Sequence, residues 1–344
     1  MEVRQLYNPR VDSPIAAARP HTRPRFALLH AGGVTSDFAA DVRRGLTAPS
    51  KFLLPHYFYD PLGSALFDAI CELPEYYVTR AETEILTSST EEIVNAFGTP
   101  IRLVELGSGS ARKTRILLDV LTARQPEMEY VPIDVDASML EKSGEALLQE
   151  YESLRVTAIC GDFREASRAI PHRDRHRTVV LFLGSTIGNL DPEAAVAMLR
   201  ELRATLTAGD ALFLGADLRK SRTILEPAYD DPLGVTASFN LNLLGRINRE
   251  LGGHFDFASF AHRAYYNEEL GRIEMHLVSK AAQTVRIDAL ALDIAFEAGE
   301  SIHTENSYKH DDESLRGLME ASGFTVERKW TDSRGWFADF LCVA

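Results

Sequence analysis

Between Ile101 and Leu218 the chain alternates short apolar runs with amphipathic stretches, and this rhythm limits the folds open to it. "IRLVEL" (101–106) is followed by "GSGS" and then by "KTRILLDVLTARQ"; "EYVPIDV" is followed by a helical pattern around "MLEKSGEALLQEY". "VTAICGDF", "TVVLFLGST" and "ALFLGADL" continue the series of strands. Strands separated by helical patterns form a parallel sheet covered by helices on both faces, so an α/β fold is expected. Asp136 is a candidate N-cap for the second helix, and Asp191-Pro192 suits the N-cap and first turn of the helix after the fourth strand.

Outside that block the rhythm changes. Residues 35–95 read as helical, and "AYDDPLGVTASFNLNLLGRINREL" as helical again, followed by the strands "RIEMHLVSK" and "QTVRIDAL". The C-terminal "FTVERKWTDSRGWFADFLCVA" reads as two strands joined at "DSRG", an antiparallel pair that closes one sheet edge. The expected organisation is a flexible tail over 1–25, a cap over 26–95 and 219–306, and a Rossmann-like domain over 96–218 and 307–344. No internal repeat or low-complexity block interrupts it.

Bulk properties narrow the function. The net charge is −13, whereas chains that grip a phosphate backbone carry basic patches. A small molecule is therefore the expected partner, and nucleic acid is not. No apolar run approaches the ~20 residues of a membrane span. The Arg- and Pro-rich start lacks the apolar core of a secretory signal. Cys71, Cys160 and Cys342 are widely spaced, with no CxxC pair, which disfavours zinc or a disulfide framework and fits a reducing compartment. The cytoplasm and a monomer are the default expectations. His303 and His310 lack a third partner in the sequence, so no metal site is expected.

The strand ends suggest a ligand. In "VELGSGSARKT", Gly107, Ser108 and Gly109 make a Gly-rich turn between strand and helix that lets backbone approach a ligand. Arg112 stands where a dinucleotide-type third glycine would be, and no P-loop is present. Asp134 ends the second strand, where a carboxylate can accept both ribose hydroxyls. Asp162 and Phe163 end the third: a carboxylate can accept from an adenine amino group, and a ring can lie against the base, although Phe163 equally suits plain core packing. Gly184, Gly188 and Asn189 end the fourth. In open α/β sheets, ligands bind outside these carboxyl ends. A ribose and base without a phosphate fingerprint point to S-adenosylmethionine rather than NAD or ATP. Glu105 would lie near the methionine end, and Lys113 near its carboxylate. An Asn/Asp-Pro-Pro-Tyr loop is absent from "GSTIGNL", and no cysteine at a strand end is placed to attack carbon, so nucleobase methylation is disfavoured.

The motifs "FYDPLGSALFDAICELPEYYVTRAETEIL", "VELGSGSARKTRILLD", "CGDF", "LFLGSTIGNL", "AYDDPLGVTASFN", "RIEMHL" and "TENSYKH" occur in this order. From about residue 38 onward the chain resembles the histidine Nα-methyltransferases of ergothioneine biosynthesis. The resemblance implies a class I methyltransferase fold, with a mostly parallel seven-stranded sheet and a cap built from N-terminal helices and an insertion. It implies three methyl transfers from S-adenosylmethionine to the α-amine of L-histidine, giving hercynine and S-adenosylhomocysteine, without a metal. It further implies that Gly107, Ser108, Gly109, Lys113, Asp134, Asp162 and Phe163 bind the cofactor. Asn189 and Tyr229 would hold the amino acid's main-chain groups, and Tyr59 and Tyr76 would be pocket tyrosines. Met275 would line the side-chain pocket, with Glu305 and Ser307 on the imidazole. Tyr59 and Asn189 are the candidates nearest the chemistry.

Taken alone, several of these residues read more plainly. Tyr59 and Tyr76 suit core or turn positions, Met275 is an ordinary strand packing residue, and Tyr229 divides evenly between turn and site. Two rival functions stay open: the same transfer to another free amino acid such as a tryptophan derivative, and cofactor binding without turnover. If "TENSYKH" is extended, side chains alternate between faces. His303, Glu305 and Ser307 then share one face, while Thr304 and Asn306 share the other. Asn306 departs from the aliphatic residue that the resemblance leads one to expect, and on this reading it points away from the ligand.

Overall fold

The computed structural model describes residues 25–31, 37–170 and 176–344, without the side chains of residues 163–165; the expected tail up to residue 24 lies outside them. The strands are β1 (Phe26–His30), β2 (Ile101–Leu106), β3 (Met128–Asp134), β4 (Leu154–Cys160), β5 (Arg177–Phe182), β6 (Ala211–Asp217), β7 (Phe260–Asn267), β8 (Arg272–Ser279), β9 (Gln283–Ile287), β10 (Leu292–Phe296), β11 (Ser301–Tyr308), β12 (Thr325–Thr331) and β13 (Phe337–Val343). The helices are α1 (Phe38–Leu46), α2 (Pro61–Cys71), α3 (Tyr77–Phe97), α4 (Thr114–Arg124), α5 (Ala137–Glu150), α6 (Phe163–Arg168), α7 (Pro192–Thr205), α8 (Arg222–Leu225), α9 (Val235–Leu251) and α10 (Asp312–Ser322).

Among the described residues, eight strands form the main sheet in the order β1-β4-β3-β2-β5-β6-β13-β12. The pairs from β1 to β6 are parallel, while β13 runs antiparallel to β6 and to β12. Both faces are covered, which explains the near-continuous apolar runs of β5 and β6. One face packs Val104, Val131, Val180 and Leu214 against Leu199 and Leu202 of α7 and Leu315 and Met319 of α10. The other packs Leu103, Tyr130, Val179 and Phe213 against Leu117 and Leu121 of α4, and this core continues into the cap. Chain order reverses at β2, with β3 on one side and β5 on the other; such a switch point opens a crevice at the strands' carboxyl ends.

The cap holds a three-stranded antiparallel sheet, β11-β8-β7, and the β9–β10 hairpin. Asp60 ties α2 to α9: its carboxylate caps α2 by accepting Gly63 N–H at 2.7 Å and also accepts from Asn242 Nδ2 at 2.8 Å. The expected start of α5 is present, since Asp136 accepts from Ser138 and Met139 N–H. Pro192 opens α7, but Asp191 makes no cap bond and instead accepts from Asn306 Nδ2 at 3.1 Å and Tyr308 OH at 3.0 Å.

Three boundaries differ from the sequence expectation. The sheet has eight strands rather than seven, because Phe26–His30 pairs in parallel with β4 and so belongs to the sheet, not the cap. The C-terminal part of α3 packs in the sheet's own core through Ile93, Val94 and Phe97. The boundary at 306/307 falls inside β11, a single strand of the cap sheet. No helix among the described residues is long and apolar enough to cross a membrane.

Candidate active site

The first wall is the crevice beyond β2, β3 and β5. The chain leaves β2 through Gly107 (φ +72°) and Gly109 (φ +47°). A side chain at Gly109 would meet nothing within 4 Å, so this turn offers bare backbone to an open cleft. Gly109 N–H donates to Asp134 Oδ2 at 2.9 Å, and Asp136 N–H donates to Oδ1 at 3.1 Å. One backbone donor on each oxygen fixes the Asp134 carboxylate and leaves further lone pairs for a ligand. Burial raises its pKa, partly offset by those N–H groups. Ser108 Oγ is buried without a partner among the described residues. Asp162 follows β4 and is exposed, and Phe163 opens α6.

Lys113 is not on a solvated helix face. Its ammonium pairs with Glu82 of α3, which is wholly buried. Glu82 also accepts Gly184 N–H at 2.8 and 3.0 Å, so Lys113 is pinned at the end of β5. Burial opposes the charge on Lys113, yet Glu82 outweighs it and holds the ammonium above its ordinary value. Glu105 turns into the α4–β3 layer, where it accepts from Thr114 Oγ1 at 2.7 Å and from Tyr130 OH; burial pushes it up to about 7. Its carboxylate is thus committed to protein partners rather than to the methionine end.

The second wall comes from the cap. Tyr76 and Tyr229 meet edge to face at 6.1 Å, Phe67 lies 6.2 Å from Tyr76, and Tyr59 lies 5.6 Å from Phe67 and 5.8 Å from Phe239. Tyr229 is held from behind by its carbonyl, which accepts from His262 Nε2 at 2.8 Å. Burial, then the Glu305 carboxylate, pushes the Tyr59 hydroxyl far above its ordinary value, so it keeps its proton. Met275 faces Glu305 across the β8–β11 ladder and is buried. Asn189 closes the turn after β5, half-buried. This turn lies hard against β11, since a side chain at Gly188 would come within 2.7 Å of Tyr308 O.

Glu305 and Ser307 share the buried face of β11, as their spacing implies. The rest of the stretch deviates. A bulge between His303 and Glu305 shifts the alternation by one residue. Thr304 is therefore buried and donates to Met275 O at 3.0 Å, while His303 joins Asn306 on the outer face, Nε2 to Oδ1 at 2.8 Å. Asn306 points away from the pocket. Glu305 is buried, and none of the described residues donates a side-chain or backbone hydrogen bond to its carboxylate. Burial pushes its pKa up to about 7, with Lys309 pulling the other way.

His303 and His310 are half-buried rather than surface residues. His303 lies 4.9 Å, ring to ring, from His276, and both are close to Glu274. Glu274 is already occupied: it accepts from Tyr265 OH at 2.6 Å, Asn267 Nδ2 at 3.0 Å and Arg272. Burial would raise its pKa, but those bonds outweigh it and hold the carboxyl at about 2.

The sequence reading missed the residues behind the pocket. Asp217 ends β6 and accepts from Tyr77 OH at 2.8 and 2.7 Å, Lys220 Nζ at 2.5 Å and Lys309 Nζ at 2.8 Å. Its position continues the ladder of strand-end carboxylates, a signal that was present in "GADL".

Comparison with known proteins identifies the family. Residues 38–344 match a family described as histidine-specific methyltransferase, SAM-dependent. The chain is 45% identical over 315 residues to a histidine N-alpha-methyltransferase of Mycolicibacterium smegmatis, covering 92% of this chain and 97% of that protein. It is 46% identical over 297 residues to a histidine N-alpha-methyltransferase of Mycobacterium tuberculosis, covering 86% and 92%. Ergothioneine biosynthesis protein 1 of Schizosaccharomyces pombe is 30% identical over 292 residues, covering 82% of this chain and 38% of that larger protein. The chain belongs to the family of histidine-specific, S-adenosylmethionine-dependent methyltransferases.

Proposed function

We propose that the protein transfers three methyl groups in succession from S-adenosylmethionine to the α-amine of L-histidine, giving hercynine, the first step towards ergothioneine. The observation that carries the substrate reading is Glu305: a buried carboxylate without a protein donor, two residues from the Ser307 hydroxyl on one strand face. A neutral imidazole offers one N–H and one bare nitrogen on opposite sides. An acceptor and a hydroxyl side by side on one face complement that ring. Burying a carboxylate without a partner is costly, so the pocket is built for a ligand that supplies the missing donor.

The donor set suits the cofactor. Asp134 has free lone pairs for ribose hydroxyls, the Gly107–Gly109 turn admits close approach, and the orphaned Ser108 Oγ awaits a partner. Asp162 and Phe163 would flank the base, and Lys113 would face the methionine carboxylate from its seat on Glu82. S-adenosylmethionine, when bound, supplies an electrophilic sulfonium methyl. The chain's part is positioning and exclusion of water. Asn189 and Tyr229 would hold the main-chain groups. The α-amine attacks only when neutral, and Tyr59, which keeps its proton, can pass one on only by accepting while it donates. The faces of Tyr59 and Tyr76 suit an amine that gains methyls and charge, by about 0.5–2 kcal/mol each through cation–π attraction. Met275 would pack against the ring.

Mass spectrometry tests the reading. Purified protein, S-adenosylmethionine and separate free amino acids, tryptophan included, should give mono-, di- and trimethylated product with histidine. Methylation of another amino acid with histidine unchanged would refute the substrate assignment, and tight cofactor binding without any methylation would refute turnover.

A further inference from the structure

Lys309 has no part in the reaction as described, yet it is wholly buried behind the two hydroxyls assigned to the substrate. Its ammonium lies 2.8 Å from Asp217 Oδ2, 2.7 Å from Tyr229 OH and 2.8 Å from Ser307 Oγ. An ammonium has three donors and no acceptor, so these three contacts saturate it, and both hydroxyl oxygens accept from it. The hydroxyls also touch each other at 2.9 Å. Two hydroxyls bring two protons; one is consumed between them and the other is left for the pocket. A phenol is more acidic than an alcohol and the better donor, so Tyr229 donates to Ser307 and keeps a lone pair, not a proton, for the substrate's main-chain amine. Ser307 Oγ then has both lone pairs occupied, and its proton turns outward. Asp217 cannot release the lysine easily, because Tyr77 and Lys220 hold it from the other side.

We propose that Lys309, anchored by Asp217, is a positioning residue for the substrate ring: it makes Ser307 a donor towards the pocket, beside the acceptor Glu305, and so selects the neutral imidazole with its N–H towards Glu305 and its bare nitrogen towards Ser307. This rests on histidine being the substrate. The buried cation also disfavours an imidazolium at the same place. In its absence Ser307 is free to donate to Tyr229 instead, and the order of donor and acceptor along β11 is no longer fixed.

Isothermal titration of the S-adenosylhomocysteine-loaded protein tests this with two ligands: histidine, and β-(2-thienyl)alanine, whose five-membered ring lacks both nitrogens. Lys309→Met should weaken histidine about 5–10-fold, the range of a lost hydrogen bond between the neutral Ser307 hydroxyl and the neutral ring. It should leave thienylalanine within about threefold and S-adenosylhomocysteine within about twofold. A merely structural role would weaken all three together, and that result, or unchanged histidine binding, overturns the proposal. Should Lys309→Met fail to fold because Asp217 loses one of its two ammonium partners, Lys309→Gln, whose two amide donors can still serve Asp217 but cannot also saturate both hydroxyls, carries the same expectation. Wild-type protein that does not prefer histidine over thienylalanine refutes the substrate reading itself, whereas wild-type preference that survives in the variants refutes the role of Lys309 alone.

Discussion

Glu305→Gln separates ligand recognition from fold stability, because the two effects have opposite signs. Burial holds the Glu305 carboxyl at about 7 against an ordinary 4.5. The folded protein therefore binds this proton more tightly than the unfolded chain does. The stability linked to it is fully present below about pH 4.5 and is lost as pH rises through about 7. A displacement of that size corresponds to about 3 kcal/mol at most. Glutamine keeps the shape and carries no charge, so it escapes the loss. Urea unfolding of the ligand-free proteins at about pH 5 and about pH 8 should show the variant losing about 2–3 kcal/mol less than wild type over that interval. Histidine titrated into the S-adenosylhomocysteine complex at about pH 8 should bind the variant about 10–100-fold more weakly, since a charge-assisted hydrogen bond becomes a neutral one. A binding site that holds an unpartnered charge against the fold's own preference behaves in this way. Parallel pH dependence in the two proteins would refute the reasoning, because Glu305 would then be paired or solvated in the folded state.

Other substitutions probe each wall of the site. Asp134→Asn should weaken S-adenosylhomocysteine about 10–100-fold by titration calorimetry, the worth of bonds to a charged acceptor, and unchanged affinity would remove Asp134 from the cofactor site. Gly188→Ala puts a methyl 2.7 Å from Tyr308 O; it should cost about 1–3 kcal/mol in urea unfolding, and an unperturbed stability would show that the turn and β11 are not in close contact. Asn306→Val should leave histidine affinity within about twofold and cost about 1–3 kcal/mol in urea unfolding, the worth of its two half-exposed hydrogen bonds to His303 and Asp191. A tenfold change in affinity would mean that Asn306 faces the ligand.

What the sequence disclosed depended on how local the physics was. The alternation of apolar runs and amphipathic helices placed β2 to β6, because each element buries a face of its own. The antiparallel pair β12–β13 was legible for the same reason, with "DSRG" as its turn. β1 was not, because a five-residue run after an Arg- and Pro-rich segment acquires meaning only from pairing with β4, about 130 positions later. The bulge in β11 was equally hidden: period-2 reasoning assumes an unbroken ladder, and one inserted residue reverses the faces before it. It misassigned His303 and Thr304 while leaving Glu305 and Ser307 correct, since both lie on the same side of the irregularity.

The buried charges were the harder case. Glu82 reaches Lys113 across 31 positions, and Asp217 reaches Lys309 across the whole cap insertion. Nothing local to a lysine announces such a partner, and an unpaired lysine in a sequence reads as solvated, because charged residues are almost never fully buried without one. Strand periodicity nevertheless held the clue. Glu305 and Ser307 share one face beyond the bulge, and Lys309, the residue just past the end of β11, continues the alternation and is buried with them. A buried lysine then requires a carboxylate, and the strand-end position of Asp217 was the one rung of the ladder without an assigned ligand. Periodicity and charge neutrality together, applied to "TENSYKH" and "GADL", lead to the same ion pair that the folded chain contains.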